Sequence, residues 1–161
     1  MGTKIDNAAI AVNDNAVIVS WEPKYSVGIK LINDQHMELI KLTNALYKAC
    51  LSRDKSVAVV FKESMSRMVE YVRYHFNAEV SLLERVGYPN HYEHKKQHEA
   101  LIREILIAVK NYEEGNKLAP NVFVRTLKEW VFGHIAICDQ AYAAYIHENL
   151  KKGLITEDQL K

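Results

Sequence analysis

Histidine and carboxylate side chains interrupt the apolar faces of several helix-like segments of this sequence. These faces step by three and four residues, as the buried side of an α-helix does. A polar side chain on a buried face must be hydrogen-bonded, paired with an opposite charge or bound to a metal ion. The interrupting residues are His36, His75, Glu79, His94, His98, His134 and Asp139. They therefore form one candidate binding set in the interior of the fold.

The intervals between these residues predict which of them share a helix face. Four residues turn an α-helix by about 400°, so residues at that interval lie on the same side. Two pairs have it: His75 with Glu79, and His94 with His98. His134 and Asp139 are five residues apart, and a regular helix would place them about 140° from each other. If both face one site, the sequence predicts a π-type turn between Gly133 and Asp139.

The donor set of five imidazoles and two carboxylates suits a divalent transition metal better than calcium or magnesium, which prefer oxygen ligands. Seven ligands exceed the four of a tetrahedral zinc ion. Two six-coordinate ions offer twelve positions, of which the five histidines would fill five. If both carboxylates bridge the ions, they fill four more, and a bridging oxygen atom fills two. One position then stays open for a small molecule from solution.

Four long helices that face one another would bring these residues together. The apolar stripes run along residues 36–50, 60–86, 94–112 and 120–146. Gly87 and Pro89 end the second stripe, and Pro120 suits the first turn of the fourth helix. The sequence therefore predicts an all-α fold: an up-down-up-down four-helix bundle with an N-terminal arm and a di-metal site in the bundle core.

The chain divides into three regions on this interpretation. Residues 1–33 form the N-terminal arm packed on the bundle, residues 34–148 form the bundle, and residues 149–161 form a mostly polar C-terminal tail. Two similar strings in the arm, 6–10 and 14–18, would form either a short hairpin or an extended segment. Of the two, the extended segment is favoured.

Composition limits the class of protein and its partners. The chain has 161 residues, of which 48% are hydrophobic and 25% charged, as in one ordinary globular domain. A net charge of +1 gives no general attraction to nucleic acid or to an anionic membrane. No apolar run approaches the ~18 residues of a membrane span. We therefore expect no nucleic-acid or membrane partner. Two cysteines are too few for a disulfide framework, and free cysteines lead us to expect a cytoplasmic protein.

Several segments between Trp21 and Tyr145 resemble the hemerythrin family, and in particular its bacterial single-domain members, the bacteriohemerythrins. The matching segments are Trp21 with Val27-Gly28-Ile29, Asp34-Gln35-His36, His75-Phe76-Asn77-Ala78-Glu79, Gly87-Tyr88-Pro89, His94-Lys95-Lys96-Gln97-His98, and His134-Ile135-Ala136-Ile137-Cys138-Asp139 followed by Tyr142. They occur in the order and at the intervals that are typical of the family.

This resemblance implies a non-haem di-iron centre, in which two iron ions (Fe²⁺ or Fe³⁺) share an oxo or hydroxo group and bind dioxygen reversibly. The implied ligands are His94, His98 and His134 on one iron, His36 and His75 on the other, and Glu79 and Asp139 bridging both. The iron with two histidines keeps the open position. An apolar oxygen pocket is expected there, walled by Leu39, Phe76, Trp130, Val131 and Ile135.

The function that the resemblance implies is oxygen storage, delivery or sensing, and not catalysis; the protein that receives the oxygen is unknown. The alternative is a di-iron enzyme that reduces peroxide or nitric oxide at the same open position. Oxygen-activating bundle enzymes usually have carboxylate-rich ligand sets with paired Glu-x-x-His motifs. The histidine-rich set therefore favours binding. A structural bundle with a vestigial site is a third class, and the complete ligand set argues against it.

Spacing alone does not assign a role to four further residues near the candidate ligands. Tyr142, three residues after Asp139, either hydrogen-bonds a bridging carboxylate or packs near the helix end. Cys138 is either a small core residue or a thiol that tunes or oxidises the site. His91 and His147 lie near helix ends and off the apolar stripes, so we expect both to be solvated.

Overall fold

The computed structural model describes residues 17–51, 57–116 and 119–161. Its helices are α1 (Lys30–Leu51), α2 (Val57–Arg85), α3 (His91–Glu113), α4 (Ala119–Gly133) and α5 (Gln140–Lys151). A π-helical turn, His134–Asp139, joins α4 to α5, so that these three elements continue one another. Two short 3₁₀ turns, Pro23–Tyr25 and Glu157–Leu160, flank the helices, and the described residues include no strand.

The helices pack as a four-membered bundle. α1 lies against α2 and α4, and α3 lies against the same two helices. This arrangement confirms the predicted all-α four-helix fold, with the pair α4 and α5 acting as the fourth member. Within the described ranges, no helix combines the length and the apolar composition that a membrane span needs.

Two apolar clusters form the core, and they lie at different levels along the helices. On α1, Ile32 belongs to one cluster and Leu39 to the other, with His36 between them. On α2, Val72 and Leu82 are divided between the clusters in the same way. The bundle therefore has a buried polar layer between two apolar parts, and this layer contains the candidate ligands.

A glycine-dependent turn ends α2 and reverses the chain into α3. Gly87 has a φ of 66°, in the left-handed region that glycine adopts without a steric penalty. Its N–H donates to the carbonyl of Glu84 at 3.1 Å, and the N–H of Tyr88 donates to the carbonyl of Leu83 at 2.9 Å. This pair of hydrogen bonds is a Schellman motif, and it stops the helix where the sequence predicts.

The described part of the N-terminal region lies along the bundle. The Asn44 side chain of α1 accepts hydrogen bonds from the N–H groups of Ile18 and Val19 at 3.0 and 3.1 Å, and donates to the Val19 carbonyl at 2.8 Å. α1 begins at Lys30, before the expected end of the arm at residue 33. Most of the possible hairpin lies outside the described residues. The division into arm, bundle and tail stays a prediction.

Candidate metal centre

The seven residues singled out by spacing meet in the polar layer between the two apolar clusters. α1 contributes one of them, α2 and α3 contribute two each, and the π-turn contributes two. All are at most 6% exposed: His36, His75, Glu79, His94, His98, His134 and Asp139. So many buried polar groups at one level need mutual contacts or a bound ion to offset their lost hydration.

The histidines form two groups that share one carboxylate. Potential ligand atoms of Glu79, His94, His98 and His134 lie within 4.8 Å of one another. Potential ligand atoms of Glu79 also lie within that distance of those of His36 and His75. The Glu79 Oε2 atom is 3.1 Å from His98 Nε2 and 3.8 Å from His75 Nε2, so this oxygen faces both groups.

Asp139 also reaches both groups, but with a different oxygen for each. Its Oδ1 atom is 2.9 Å from His134 Nε2 and 3.5 Å from His94 Nε2, in the three-histidine group. Its Oδ2 atom is 3.2 Å from His36 Nε2, in the two-histidine group. A carboxylate with one oxygen toward each group has the disposition that a ligand bridging two metal ions requires.

The π-turn brings His134 and Asp139 to the same side of the fourth bundle helix. Both residues are buried, although they are five positions apart and a regular helix would separate them by about 140°. The turn widens the helix by one residue and removes that difference. The prediction of a π-type irregularity between Gly133 and Asp139 is confirmed, and within this turn Ile137 is 71% exposed.

Unpartnered buried atoms show that this site suits a metal pair. Among the described residues, six buried side-chain atoms have no hydrogen-bond partner, and five of them belong to His36, His98 and Asp139. Both Asp139 oxygens and the His36 Nε2 atom are among these, and they lie close together, with Asp139 Oδ2 3.2 Å from His36 Nε2. Imidazole and carboxylate lone pairs that converge in a buried layer are suited to cations. The donor set of imidazoles and carboxylates suits a transition metal.

The electrostatics of Glu79 favour its ionised form. Burial disfavours the carboxylate, but the surrounding histidines, His75 first and then His94 and His98, outweigh burial and hold the pKa of Glu79 well below its usual range. A carboxylate that is already ionised can bind a cation without releasing a proton.

Two histidines of the site differ in their affinity for protons. Burial lowers the pKa of His75 to about 4, so its imidazole is neutral at neutral pH and has a lone pair available. Burial acts the same way on His134, but the charge of Asp139 outweighs it and raises the pKa of His134 to about 10. A metal ion in the three-histidine group must therefore displace a proton from His134.

Tyr142 supports Glu79 from the α5 side. Its hydroxyl donates a short hydrogen bond to Glu79 Oε1, the carboxylate oxygen that does not face the histidines. The ring is fully buried in an apolar cluster, where it contacts Tyr88. Burial, followed by the Glu79 charge, raises the pKa of Tyr142 well above its ordinary value, so the hydroxyl keeps its proton. Both roles left open by the sequence, hydrogen bonding and packing, are present.

A family model described as the hemerythrin HHE cation binding domain matches residues 27–146, which include all seven residues of the site. The chain belongs to the hemerythrin family. This result confirms the resemblance found in the sequence, and it agrees with the donor groups in the polar layer.

Individual hemerythrin relatives agree with this assignment. A bacteriohemerythrin of Stenotrophomonas maltophilia is 30% identical over 136 residues, which cover 84% of this chain and 86% of that protein. A hemerythrin-like protein of Naegleria gruberi is 28% identical over 123 residues, covering 76% and 89% respectively. The crystal structure of a wild-type hemerythrin has a TM-score of 0.73 and 19% identity, covering 80% of this chain and 97% of that one. At that identity the structural likeness concerns the hemerythrin fold alone.

Two aromatic rings stack on histidines of the three-histidine group in this hemerythrin. The Phe76 ring lies on His98 with centroids 3.7 Å apart and planes 3° from parallel. The Trp130 ring lies on His134 at 4.7 Å and 5°. These contacts restrict rotation of the imidazole planes, a role for the two aromatic residues that their sequence positions did not reveal.

The residues expected to wall an oxygen pocket are apolar neighbours of the site. Leu39, Phe76 and Ile135 are buried, and the partly buried Trp130 packs against the same cluster. The side chain of Val131 lies outside the described residues. The assignment of these five residues to a pocket stays a prediction.

The expectation that His91 and His147 are solvated is wrong. Both are half-buried, and each donates a ring N–H to a backbone carbonyl at 2.9 Å, His91 to Tyr88 and His147 to Val27. Gly28 permits the second contact, because a Cβ atom there would lie 2.4 Å from His147 Nε2. These two histidines join chain segments and lie outside both ligand groups.

Proposed function

We propose that this chain is a di-iron protein that binds dioxygen reversibly, for storage, delivery or sensing. The observation that carries the proposal is the sharing of Glu79 and Asp139 between two histidine groups, because a metal pair needs ligands that reach both ions. His94, His98 and His134 would hold one iron, His36 and His75 the other, and Glu79 and Asp139 both. When bound, the iron pair supplies the electrons that reversible oxygen binding uses.

The surroundings of the site favour release of oxygen unchanged. Leu39, Phe76 and Ile135 are buried and Trp130 packs against the same cluster, so these side chains would keep water from the site. The proposal adds Val131 to this apolar wall from its place in the sequence, next to Trp130. The two carboxylates and the bridging hydroxide implied by the resemblance would offset three of the four charges of two Fe²⁺ ions, so little net charge is placed in a region of low dielectric constant. Such a wall would also limit the access of protons from solvent to the site.

We propose binding rather than enzymatic turnover because of the acids that the site contains. Among the described residues the buried acids are Glu79 and Asp139, and both belong to the proposed ligand set. Reduction of peroxide requires protons delivered to the leaving oxygen, and no further buried acid is at hand in that part of the chain. The enzyme alternative therefore lacks an observation in its favour.

A cytoplasmic location belongs to the same proposal. Cys50 and Cys138 are both free thiols, which fits a reducing compartment. Fractionation of the source cells, followed by detection of the chain in each fraction, tests this part separately from the chemistry.

The test of the proposed function is optical and analytical. Aerobic protein should contain about two irons per chain and a visible charge-transfer absorption that fades on deoxygenation and returns with air. His75→Ala should abolish this oxygen-dependent band while the far-ultraviolet circular dichroism stays helical. His91→Ala, which changes a half-buried histidine outside the ligand groups, serves as the matched control. A folded wild-type protein without iron, or peroxide turnover far above that of free iron, would contradict the proposal.

A further inference from the structure

Gln35 is a buried amide next to the two-histidine group that the ligand prediction did not include. It is 4% exposed, and it precedes His36 on α1. Its Oε1 atom lies 2.9 Å from His75 Nδ1, across the interface between α1 and α2. An amide oxygen can only accept, so the His75 Nδ1 atom must be the donor and carry the proton.

This contact determines which nitrogen of His75 is free. A neutral imidazole with its proton on Nδ1 has its lone pair on Nε2. The Nε2 atom is the one that faces the site, 3.8 Å from Glu79 Oε2. A hydrogen bond from the other ring nitrogen typically fixes the tautomer and the ring orientation of a metal-binding histidine.

We propose that Gln35 is a positioning residue, which holds His75 in the tautomer and orientation that a metal ion in the two-histidine group requires. This inference rests on the proposed function, because it assigns Gln35 a role toward the same metal pair. The two-histidine group would then be asymmetric. His36 Nδ1 has no hydrogen-bond partner, so in that group only the His75 ring is oriented by a hydrogen bond at its Nδ1 atom.

The surroundings of Gln35 separate positioning from a merely structural role. Its Nε2 atom is buried and has no partner, and an unpartnered buried donor is destabilising. Leucine at this position would remove that donor, but it would also leave the His75 Nδ1–H without its acceptor. These two effects oppose each other in the metal-free protein. The neighbouring contact from the Tyr71 hydroxyl goes to the Gln35 backbone carbonyl at 3.3 Å, so it survives a side-chain change.

The test titrates metal-free protein with Co²⁺ and follows the visible d–d absorption together with the number of ions bound. Wild-type protein should bind two ions. Gln35→Leu should weaken one of the two sites by about 10- to 100-fold, the usual effect of losing such an outer hydrogen bond, and leave the other unchanged. Its urea midpoint without metal should equal that of the wild type.

Two further variants complete the design. Gln35→Glu keeps an acceptor for His75 and should restore the affinity of the weakened site to the wild-type value or above. Gln97→Leu makes the same change one residue before another proposed ligand, His98, at an exposed position of α3, and should leave both sites intact.

The outcomes distinguish this inference from the proposed function. Two ions bound by the wild type with equal affinities in Gln35→Leu would overturn the inference and leave the proposed function standing. Equal weakening of both sites with a lower urea midpoint would show a structural role, and would also overturn it. A wild-type chain that takes up fewer than two ions would overturn both. Selective weakening of one site, rescued by glutamate, is the result expected.

Discussion

His75 and His134 carry opposite protonation preferences, and neighbouring groups decide which preference each has. Burial dominates at His75 and lowers its pKa to about 4, although the Glu79 carboxylate, with its Oε2 atom 3.8 Å from His75 Nε2, acts in the opposite direction. Asp139 lies 2.9 Å from His134, and its charge raises the pKa of that residue to about 10. A buried imidazole can therefore be neutral or charged at the same depth in the protein, depending on the carboxylate beside it.

These directions predict how the stability of the metal-free protein depends on pH. His75 has a pKa of 6.5 in the unfolded chain and of about 4 in the folded chain, so between these pH values the unfolded chain binds a proton at His75 and the folded chain does not. Stability should therefore fall as the pH decreases through this range, by about 2 kcal/mol between pH 7.5 and pH 5 from this residue. His134 has the opposite sign: its contribution is complete below pH 6.5 and is lost as the pH rises toward 10. Urea unfolding at pH 5, 7.5 and 9 measures the loss of stability on the acid side and on the alkaline side.

The His75→Gln variant isolates the contribution of His75 to the loss of stability at acid pH, because glutamine does not titrate. Its free energy of unfolding should change about 2 kcal/mol less than that of the wild type between pH 7.5 and pH 5. His91→Gln, which makes the same change at a half-buried histidine outside the ligand groups, is the control variant. An identical acid slope in the wild type and in His75→Gln would disprove the assignment of this effect to His75.

Residue spacing predicted which seven side chains meet in the polar layer, but not the groups that support them. The seven residues could be found because each interrupts an apolar stripe, which is a property of one helix at a time. Gln35 was missed as a candidate because its partner, His75, is forty residues away on another helix, and no local pattern marks such a contact. His147 was misjudged for the same reason, since its carbonyl partner is in Val27.

At the scale of elements, the π-turn is the feature that could be predicted from the spacing of residues in the sequence. The interval between His134 and Asp139 required it, and no other local signal was needed. The contacts that surround the turn could not be predicted. The Gln140 side chain donates to the carbonyls of Lys24 and Ser26 at 3.2 and 3.1 Å. The region before α1 thus contacts the helix just after Asp139, through a pairing 114 to 116 residues apart in sequence.

A single-residue deletion tests whether the π-turn is one residue inserted in an otherwise regular helix. Deleting the exposed Ile137 would leave His134 and Asp139 four positions apart, on one face of a regular α-helix. We expect the deletion variant to fold with a free energy of unfolding within about 1 kcal/mol of the wild type, since little buried surface is lost. Urea unfolding and the number of Co²⁺ ions bound are the measurements.

The matched control deletes Ala141, which is also exposed but lies in regular helix α5. No extra residue exists there, so the deletion rotates Tyr142 and Ile146 out of the core by about 100°. Stability should fall by about 3 kcal/mol or more, as for truncation of large buried side chains. Equal damage from the two deletions would mean that the turn is not an insertion that the helix can lose.

At the scale of the whole molecule, the polar layer divides the interior into two apolar clusters. One cluster includes Leu46, Phe61 and Leu127, and the other includes Ile32 and Leu83. Each cluster takes side chains from several helices, so each can hold its end of the bundle together without the layer. Length and composition predicted a core of sufficient size, but they could not show that it is interrupted. The interruption arises because each of the four bundle members contributes candidate metal ligands at the same level.

This division predicts the effect of removing the metal. Metal ions held in the polar layer as proposed would bind the folded chain and not the unfolded one, so at free concentrations about 1,000 times the dissociation constant each should add about 4 kcal/mol to the free energy of unfolding. Chelation should remove this increment, while the two apolar clusters keep the metal-free chain helical.

His36→Leu provides a control, because both ring nitrogens of His36 lack partners without metal. Its metal-free form should be at least as stable as the wild type and should gain less from metal. Circular dichroism during urea unfolding, with and without chelator, measures this. Complete loss of helix on chelation would contradict the independence of the two clusters, and an unchanged midpoint would contradict metal binding in the layer.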